Sequence, residues 1–149
     1  MKDKELIREL NKILTLEHGH LGMYENFLNH RDKDTRRTFR RFMEIEKEHI
    51  NKVTAVILNM GGKPSIIVES GDIIGQLFGI TVNAASDREV IKAYSFIEKK
   101  SHQGYNDFVT KLENDSEIRN QFIAEIASSN MVEAQLMHLW LEDKLKTLN

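Results

Sequence analysis

The chain has 149 residues, 40% hydrophobic and 30% charged, with 8 glycines, a single proline and a formal net charge of −2. That length is most simply one domain spanning 1–149, and the composition excludes a disordered chain, argues against an all-β one and leaves helix as the expected class. Cysteine is absent, which removes disulfide frameworks and thiolate metal sites, so any metal has to be held by oxygen and imidazole.

The first predicted helix covers roughly 3–29. Its start, "MKDKELIREL", alternates charges where a secretion signal needs an unbroken apolar stretch. A cytoplasmic location is therefore expected. Along the helix, Leu6, Leu10, Ile13, Glu17, His20, Tyr24 and Leu28 recur at three- and four-residue spacing and form one stripe.

The second helix is expected over roughly 35–61, with Asp34 as its N-cap and Gly61-Gly62, followed by Pro64, as its stop. The preceding run "RDKDTRRTFRR" holds six basic and two acidic side chains. Against a net charge of −2 it reads as a solvated helix start, and no nucleic-acid partner is expected. The stripe here is Phe39, Phe42, Glu46, His49, Val53, Val56 and Met60.

Residues 62–86 contain "SIIVESGDIIGQLFGITVNAA", too long for a structureless link inside a compact domain. They are read as a crossover carrying a short helix near 72–80. The densest apolar window, "IIGQLFGI", falls far short of the roughly 20 residues that span a bilayer. The apolar side chains of 64–82 either cover the bundle, pack in a dimer interface, or form a substrate-channel lip with peripheral membrane contact.

A third helix over roughly 87–113 follows Ser86 as N-cap, with the stripe Ile91, Tyr94, Glu98, His102, Tyr105, Val109 and Leu112. The fourth, roughly 116–147, carries Ile123, Ala127, Met131, Ala134, His138, Leu141 and Leu145, with Gln135 at the stripe's edge. His18 and His30 fall off the stripes and are expected to face solvent. Short links between helices one and two and between three and four, with a long one across the middle, describe an all-α, ferritin-like antiparallel four-helix bundle with a crossover between helices two and three.

Each stripe breaks near its middle with an acid or an imidazole, and burying an unpaired charge costs far more than burying a methyl group. A single His in an apolar stripe is ordinarily a hydrogen-bonded core residue. Four breaks at one level of a bundle point instead to a shared cation. Glu46 and His49, three apart, lie one turn apart on the same side of a helix and can reach one ion. Glu17 with His20, Glu98, and Gln135 with His138 are the partners expected from the other helices.

The order Glu17, Glu46-x-x-His49, Glu98, Gln135-x-x-His138 resembles the demethoxyubiquinone hydroxylase family, ferritin-like di-iron proteins that hydroxylate a quinone ring. Tyr24 seven after Glu17, the segment "EIEKEHI", the crossover "KPSIIVESGDIIGQLFG" and "YND" seven after Glu98 support it, over roughly residues 10–145. The resemblance implies a site of Glu17, Glu46, His49, Glu98 and His138, with two iron ions, dioxygen or peroxide as co-reactant and a lipophilic small molecule as substrate. Gln135 stands where the family has Glu, and His20 where the family has no standard ligand. Three carboxylates then face the four positive charges of two ferrous ions, which leaves open an asymmetric site, a single ion, or zinc or manganese.

Tyr24, His102 and Tyr105 face the same layer by spacing, as supports of the ligands or as plain packing residues. Three functions stay open: an oxygenase of the quinone-hydroxylase kind, a ferroxidase or rubrerythrin-like protein that handles iron or peroxide, and a non-enzymatic bundle with a decayed or zinc-occupied site. Apolar residues left over on helices one and two suggest a homodimer.

Overall fold

Four helices account for all the regular structure that a computed structural model shows among its described residues, 1–26, 31–65, 86–115 and 117–148. They are α1 (Asp3–Glu25), α2 (Lys33–Asn59), α3 (Asp87–Glu113) and α4 (Ile118–Lys146). No strand occurs among those residues, so the class is all-α. Leu28, His30, the short helix expected near 72–80 and all but the first two residues of the apolar segment 64–82 lie outside the described residues. No described helix is long and apolar enough to cross a membrane.

The chain divides into two compact units, one formed by Ile7–Val82 and the other by Met1–Leu6 with Asn83–Asn149. In the first, α2 starts at Asp32 and not at Asp34. The Asp32 carboxylate accepts from the Thr35 backbone N–H at 3.0 Å and from the Thr35 hydroxyl at 2.6 Å. Asp34 falls inside the first turn, where its charge complements the helix dipole without capping it.

The stop of α2 follows the sequence closely. Gly61 adopts φ +74°, a left-handed conformation that costs a Cβ-bearing residue about 1 kcal/mol or more. The Gly61 and Gly62 amides then donate to the carbonyls of Leu58 and Ile57, both at 2.9 Å, which satisfies two carbonyls the helix end would otherwise leave open. Gly62 has its own constraint, since a Cβ there would meet Ile7 Cγ2 at 2.9 Å. Beyond it, Asn11 of α1 donates to the Lys63 carbonyl at 3.0 Å and accepts from the Ser65 amide at 2.6 Å, tying the exit of α2 to α1. At the other end of the pair, the Tyr24 ring lies 5.2 Å from both Phe39 and Phe42, in tilted and edge-on arrangements that aromatic quadrupoles favour.

In the second unit α3 begins with the expected cap. Ser86 accepts from the Glu89 amide while the Glu89 carboxylate accepts from the Ser86 amide at 2.9 Å, a reciprocal box. Helix α4 starts without a side-chain cap on Glu117, and the preceding Asp115 does the work by accepting from the Glu117 amide at 3.1 Å and from Asn120 at 2.7 Å. The Met1 amine lies 3.1 Å from the same carboxylate. Together these hold the Asp115 carboxyl at about 2, the Glu117 backbone N–H contributing most. Arg88 of α3 donates to the carbonyl of Leu148 at 2.8 Å, and Arg119 of α4 to Asp3 at 2.7 Å.

Burial follows the predicted stripes of α2 and α3 almost residue for residue. Phe39, Phe42, Glu46, His49, Val53 and Val56 are buried on α2, and Ile91, Tyr94, Glu98, Tyr105, Val109 and Leu112 on α3. Met60 and His102 are half-buried instead. On α1 it is Leu14, not Ile13, that is fully buried before Glu17. Helix α4 departs furthest: its buried face is Ile123, Ala127, Asn130, Ala134, Met137 and Leu141, while Met131, Gln135, His138 and Leu145 are half-buried. The inward face is turned from the expected one because Met137 and Asn130 point in where His138 and Met131 were expected.

Candidate metal centre

On α1, Glu17 and His20 sit three residues apart, and on α2 so do Glu46 and His49, so each pair presents a carboxylate and an imidazole from adjacent turns of one helix face. All four are buried, with Glu46 at 0% exposure. Flanking apolar residues explain that depth. Leu10, Leu14 and Tyr24 on α1, and Phe39, Phe42 and Val53 on α2, continue the same faces above and below and keep water out.

The four side chains converge. His49 Nδ1 lies 3.5 Å from Glu17 Oε2 and 3.6 Å from Glu46 Oε2. His20 Nδ1 lies 3.5 Å from Glu17 Oε2 and 3.8 Å from Glu46 Oε1. Glu46 thus shows one oxygen to each imidazole, while a single oxygen of Glu17 faces both. One ligand atom each from Glu17, Glu46 and His49 lie within 4.8 Å of one another. Buried carboxylate and imidazole groups that could hold a metal ion are therefore present where the sequence stripes break.

The spacing itself carries chemical information. Nitrogen–oxygen separations of 3.5 to 3.8 Å exceed the 2.7–3.2 Å of an ordinary N–H···O bond. Two donors each about 2.1 Å from one ion, at tetrahedral or octahedral angles, stand roughly 3.0–3.4 Å apart. The donors thus stand a few tenths of an ångström wider than an ion would draw them. Their chemistry also fits: two carboxylates and two imidazoles suit iron, manganese, zinc or cobalt, and the absence of thiolates rules against soft-metal ligation.

Charge is the second fit. Burial drives the Glu17 carboxyl upward, yet its interactions with Glu46, His20 and His49 outweigh burial and hold it well below the usual carboxylate range. Hydrogen bonds with those neighbours stabilise its negative charge. A divalent cation would do the same in place of those hydrogen bonds, since metal binding ordinarily displaces protons from its ligands.

In the other unit Glu98 is buried at the middle of α3. His138, half-buried on α4, lies 2.9 Å by Nδ1 from the Ser95 carbonyl; a carbonyl only accepts, so Nδ1 donates and Nε2 is the nitrogen left for another partner. The Ser95 hydroxyl lies 3.0 Å from the same nitrogen and donates to Glu142. His102 is arranged alike, Nδ1 lying 3.2 Å from the Met131 carbonyl. A backbone carbonyl behind an imidazole is a common way to fix a metal-binding tautomer, and an equally common way to satisfy a structural histidine. Gln135 is half-buried next to buried Ala134.

Tyr105 is buried and accepts from Asn130 Nδ2 at 3.2 Å, and Tyr24 packs against Phe39 and Phe42. His18, expected to face solvent, is half-buried. Three residues escaped the sequence reading. Ser95 lies one turn before Glu98, Glu142 one turn after His138, and Asn130 at helical spacing between Ala127 and Ala134; only Asn130 leaves a visible sign, a polar break in a stripe of small residues.

No protein-family model matches the chain, and none of the curated proteins it was compared with matches it significantly.

Proposed function

We propose that the protein is an iron-binding oxidoreductase of the dioxygen-using kind, with Glu17, His20, Glu46 and His49 as the metal-holding group. The observation that carries this is the convergence of two carboxylates and two imidazoles, all buried, at separations close to those of donors around a common ion. A buried polar cluster of this density costs stability unless something compensates, and a cation of charge two or more is the strongest compensation that oxygen and nitrogen donors can receive.

Ferrous iron bound there supplies the one-electron chemistry that dioxygen requires and protein side chains lack. The chain's own residues do the rest. Glu46, with one oxygen toward each imidazole, would hold the metal together with both histidines. Glu17 anchors both imidazoles through one oxygen. The leucine and aromatic residues on either side exclude bulk water, which strengthens every charge interaction inside. Glu98, Gln135 and His138 are carried into the proposal from the order of motifs, as is a lipophilic substrate of the quinone class.

Loading metal-free protein anaerobically with ferrous iron and then admitting dioxygen tests the reading. A new near-ultraviolet to visible absorption and dioxygen uptake in proportion to bound iron are expected, both lost in Glu46→Gln. Iron that stays colourless and unreactive toward dioxygen, or reacts equally in Glu46→Gln, contradicts it.

A further inference from the structure

Between Arg36 and Arg41 helix α2 carries four arginines and no acid, and Arg31 and Lys33 precede them. Arg37, Arg40 and Arg41 are exposed. Arg36 donates to the Arg31 carbonyl at 3.0 Å and Arg41 to Glu44 at 2.8 Å, while Arg37 and Arg40 have no ion-pair partner among the described residues. The arrangement costs the helix stability. Arg36 with Arg40, and Arg37 with Arg41, are like charges four residues apart that repel across one turn, and Lys33 and Arg36 sit at the positive end of the helix dipole. A merely solvated helix start needs neither. At roughly 100° per residue, Arg37 and Arg40 point within about 60° of each other and nearly opposite Glu46 and His49. The basic face therefore lies on the outer side of the helix whose inner side holds two of the metal-centre residues, one helix thickness of about 10 Å away.

We propose that the outer face of α2 from Arg36 to Arg41 docks an acidic one-electron carrier protein of the ferredoxin class, which reduces the metal centre. The proposal rests on the reading that Glu46 and His49 hold iron that uses dioxygen. Such iron is returned from ferric to ferrous by an electron from outside, and the chain has no cysteine with which to hold an iron–sulfur cluster of its own. Each encounter moves one electron: the carrier is oxidised, a ferric ion is reduced, and no bond in the protein is made or broken. Charge and size select this partner. Opposite charges speed encounter and leave affinity modest, which is the pattern of redox complexes, whose contacts are at the small end of protein interfaces. A nucleic acid presents a continuous run of phosphates, and Glu44 and Glu48 interrupt a basic track beyond Arg41. A lipid surface draws helices that offer it apolar side chains, and the large exposed hydrophobic residue on α2, Leu58, stands at the helix's other end.

Calorimetric titration of the metal-free chain with oxidised plant-type [2Fe–2S] ferredoxin tests the surface. Binding at low salt should weaken at least roughly tenfold between about 20 and about 200 mM salt. The double variant Arg37→Glu, Arg40→Glu should bind at least roughly tenfold more weakly than wild type, whereas Lys92→Glu, Lys111→Glu, the same charge change at exposed positions of α3, should bind as wild type does, with helical circular dichroism unchanged in both. In iron-loaded protein, stopped-flow reduction by reduced ferredoxin should slow by a similar factor in the arginine variant, while reduction by photoreduced lumiflavin, which is uncharged, keeps its rate. No ferredoxin binding, binding or reduction indifferent to the arginines, or an equal loss in the lysine variant overturns the proposal. So does tighter binding of phosphatidylserine vesicles or duplex DNA that the arginine variant loses. A chain that takes up no iron is a separate failure, which removes the metal centre itself and this proposal with it.

Discussion

His49 Nδ1 of α2 stands 3.5 Å from Glu17 Oε2 of α1, and both side chains are almost fully withdrawn from water. Neither residue is remarkable in its own helix. Their meeting across two helices, with Glu46 and His20 alongside, turns four stripe faults into one polar centre inside an apolar pair.

A neutral near-isostere at the most buried acid should separate folding from metal binding. Glu46→Gln keeps the volume, and its amide can donate to the Glu17 carboxylate in place of a shared proton, so the metal-free variant should melt within a few degrees of wild type. Its affinity for divalent metal should fall by at least roughly 100-fold, as expected for loss of a direct ligand and more than the outer-shell range. Thermal melts with and without added metal check both halves: metal should raise the wild-type midpoint and leave the variant's unmoved.

Adding a charge at Gln135 should act in the opposite direction. The order of motifs puts Gln135 where a fourth carboxylate is expected, so Gln135→Glu should tighten metal binding by roughly tenfold or more in a competition titration with a chelator. No gain would place Gln135 outside the ligand set.

Asp115 sets an acid limit on the second unit. Its carboxyl is held at about 2, below an unfolded value near 3.9, by the Glu117 amide, Asn120 and the Met1 amine. A depressed carboxyl favours the folded state when ionised, so its contribution is complete above about pH 4 and fades as pH falls toward 2. Asp115→Asn should therefore melt below wild type at neutral pH, and the gap should close between pH 4 and pH 2. A gap that persists at pH 2 would mean the effect is not electrostatic.

Two neighbouring glycines should respond to alanine for different reasons. Gly61→Ala forces a Cβ into φ +74° and should cost about 1 kcal/mol with no clash nearby. Gly62→Ala keeps an ordinary backbone but pushes against Ile7 and Ile57, and should cost about 1–3 kcal/mol. Ile7→Ala should relieve part of the second penalty and none of the first, which urea denaturation of the single and double variants can show.

Removing the cap of α3 should be milder. Ser86→Ala removes the hydroxyl that accepts from the Glu89 amide, leaves the backbone arm of the box in place, and should cost about 1 kcal/mol in the same assay.

Sequence alone made α2 legible because its charges crowd one face: Arg37, Arg40, Arg41, Lys47 and Glu48 are all exposed, and the stripe between them could be read only one way. The same contrast worked on α3. It failed on α4, where Ile118, Phe122 and Leu136 supply a second apolar face, so that periodicity offered two inward directions and packing chose the one through Asn130 and Met137. The N-cap of α2 was misplaced by two residues because "DKD" offers two aspartates and only geometry selects the one whose carboxylate reaches Thr35. Of the site, the sequence supplied the residue types and helix faces. It could not supply the roles of Ser95 and Glu142, since a serine beside a carboxylate on an apolar face carries no period of its own.

The most direct test is metal content per chain in protein purified without added metal or chelator, wild type beside Glu46→Gln. At least one transition-metal ion per chain in the wild type, iron foremost, and a trace in the variant is the predicted result. Equal content in both, or a wild type that neither carries nor takes up iron, manganese, zinc or cobalt, would contradict the claim that Glu17, His20, Glu46 and His49 are gathered around a cation.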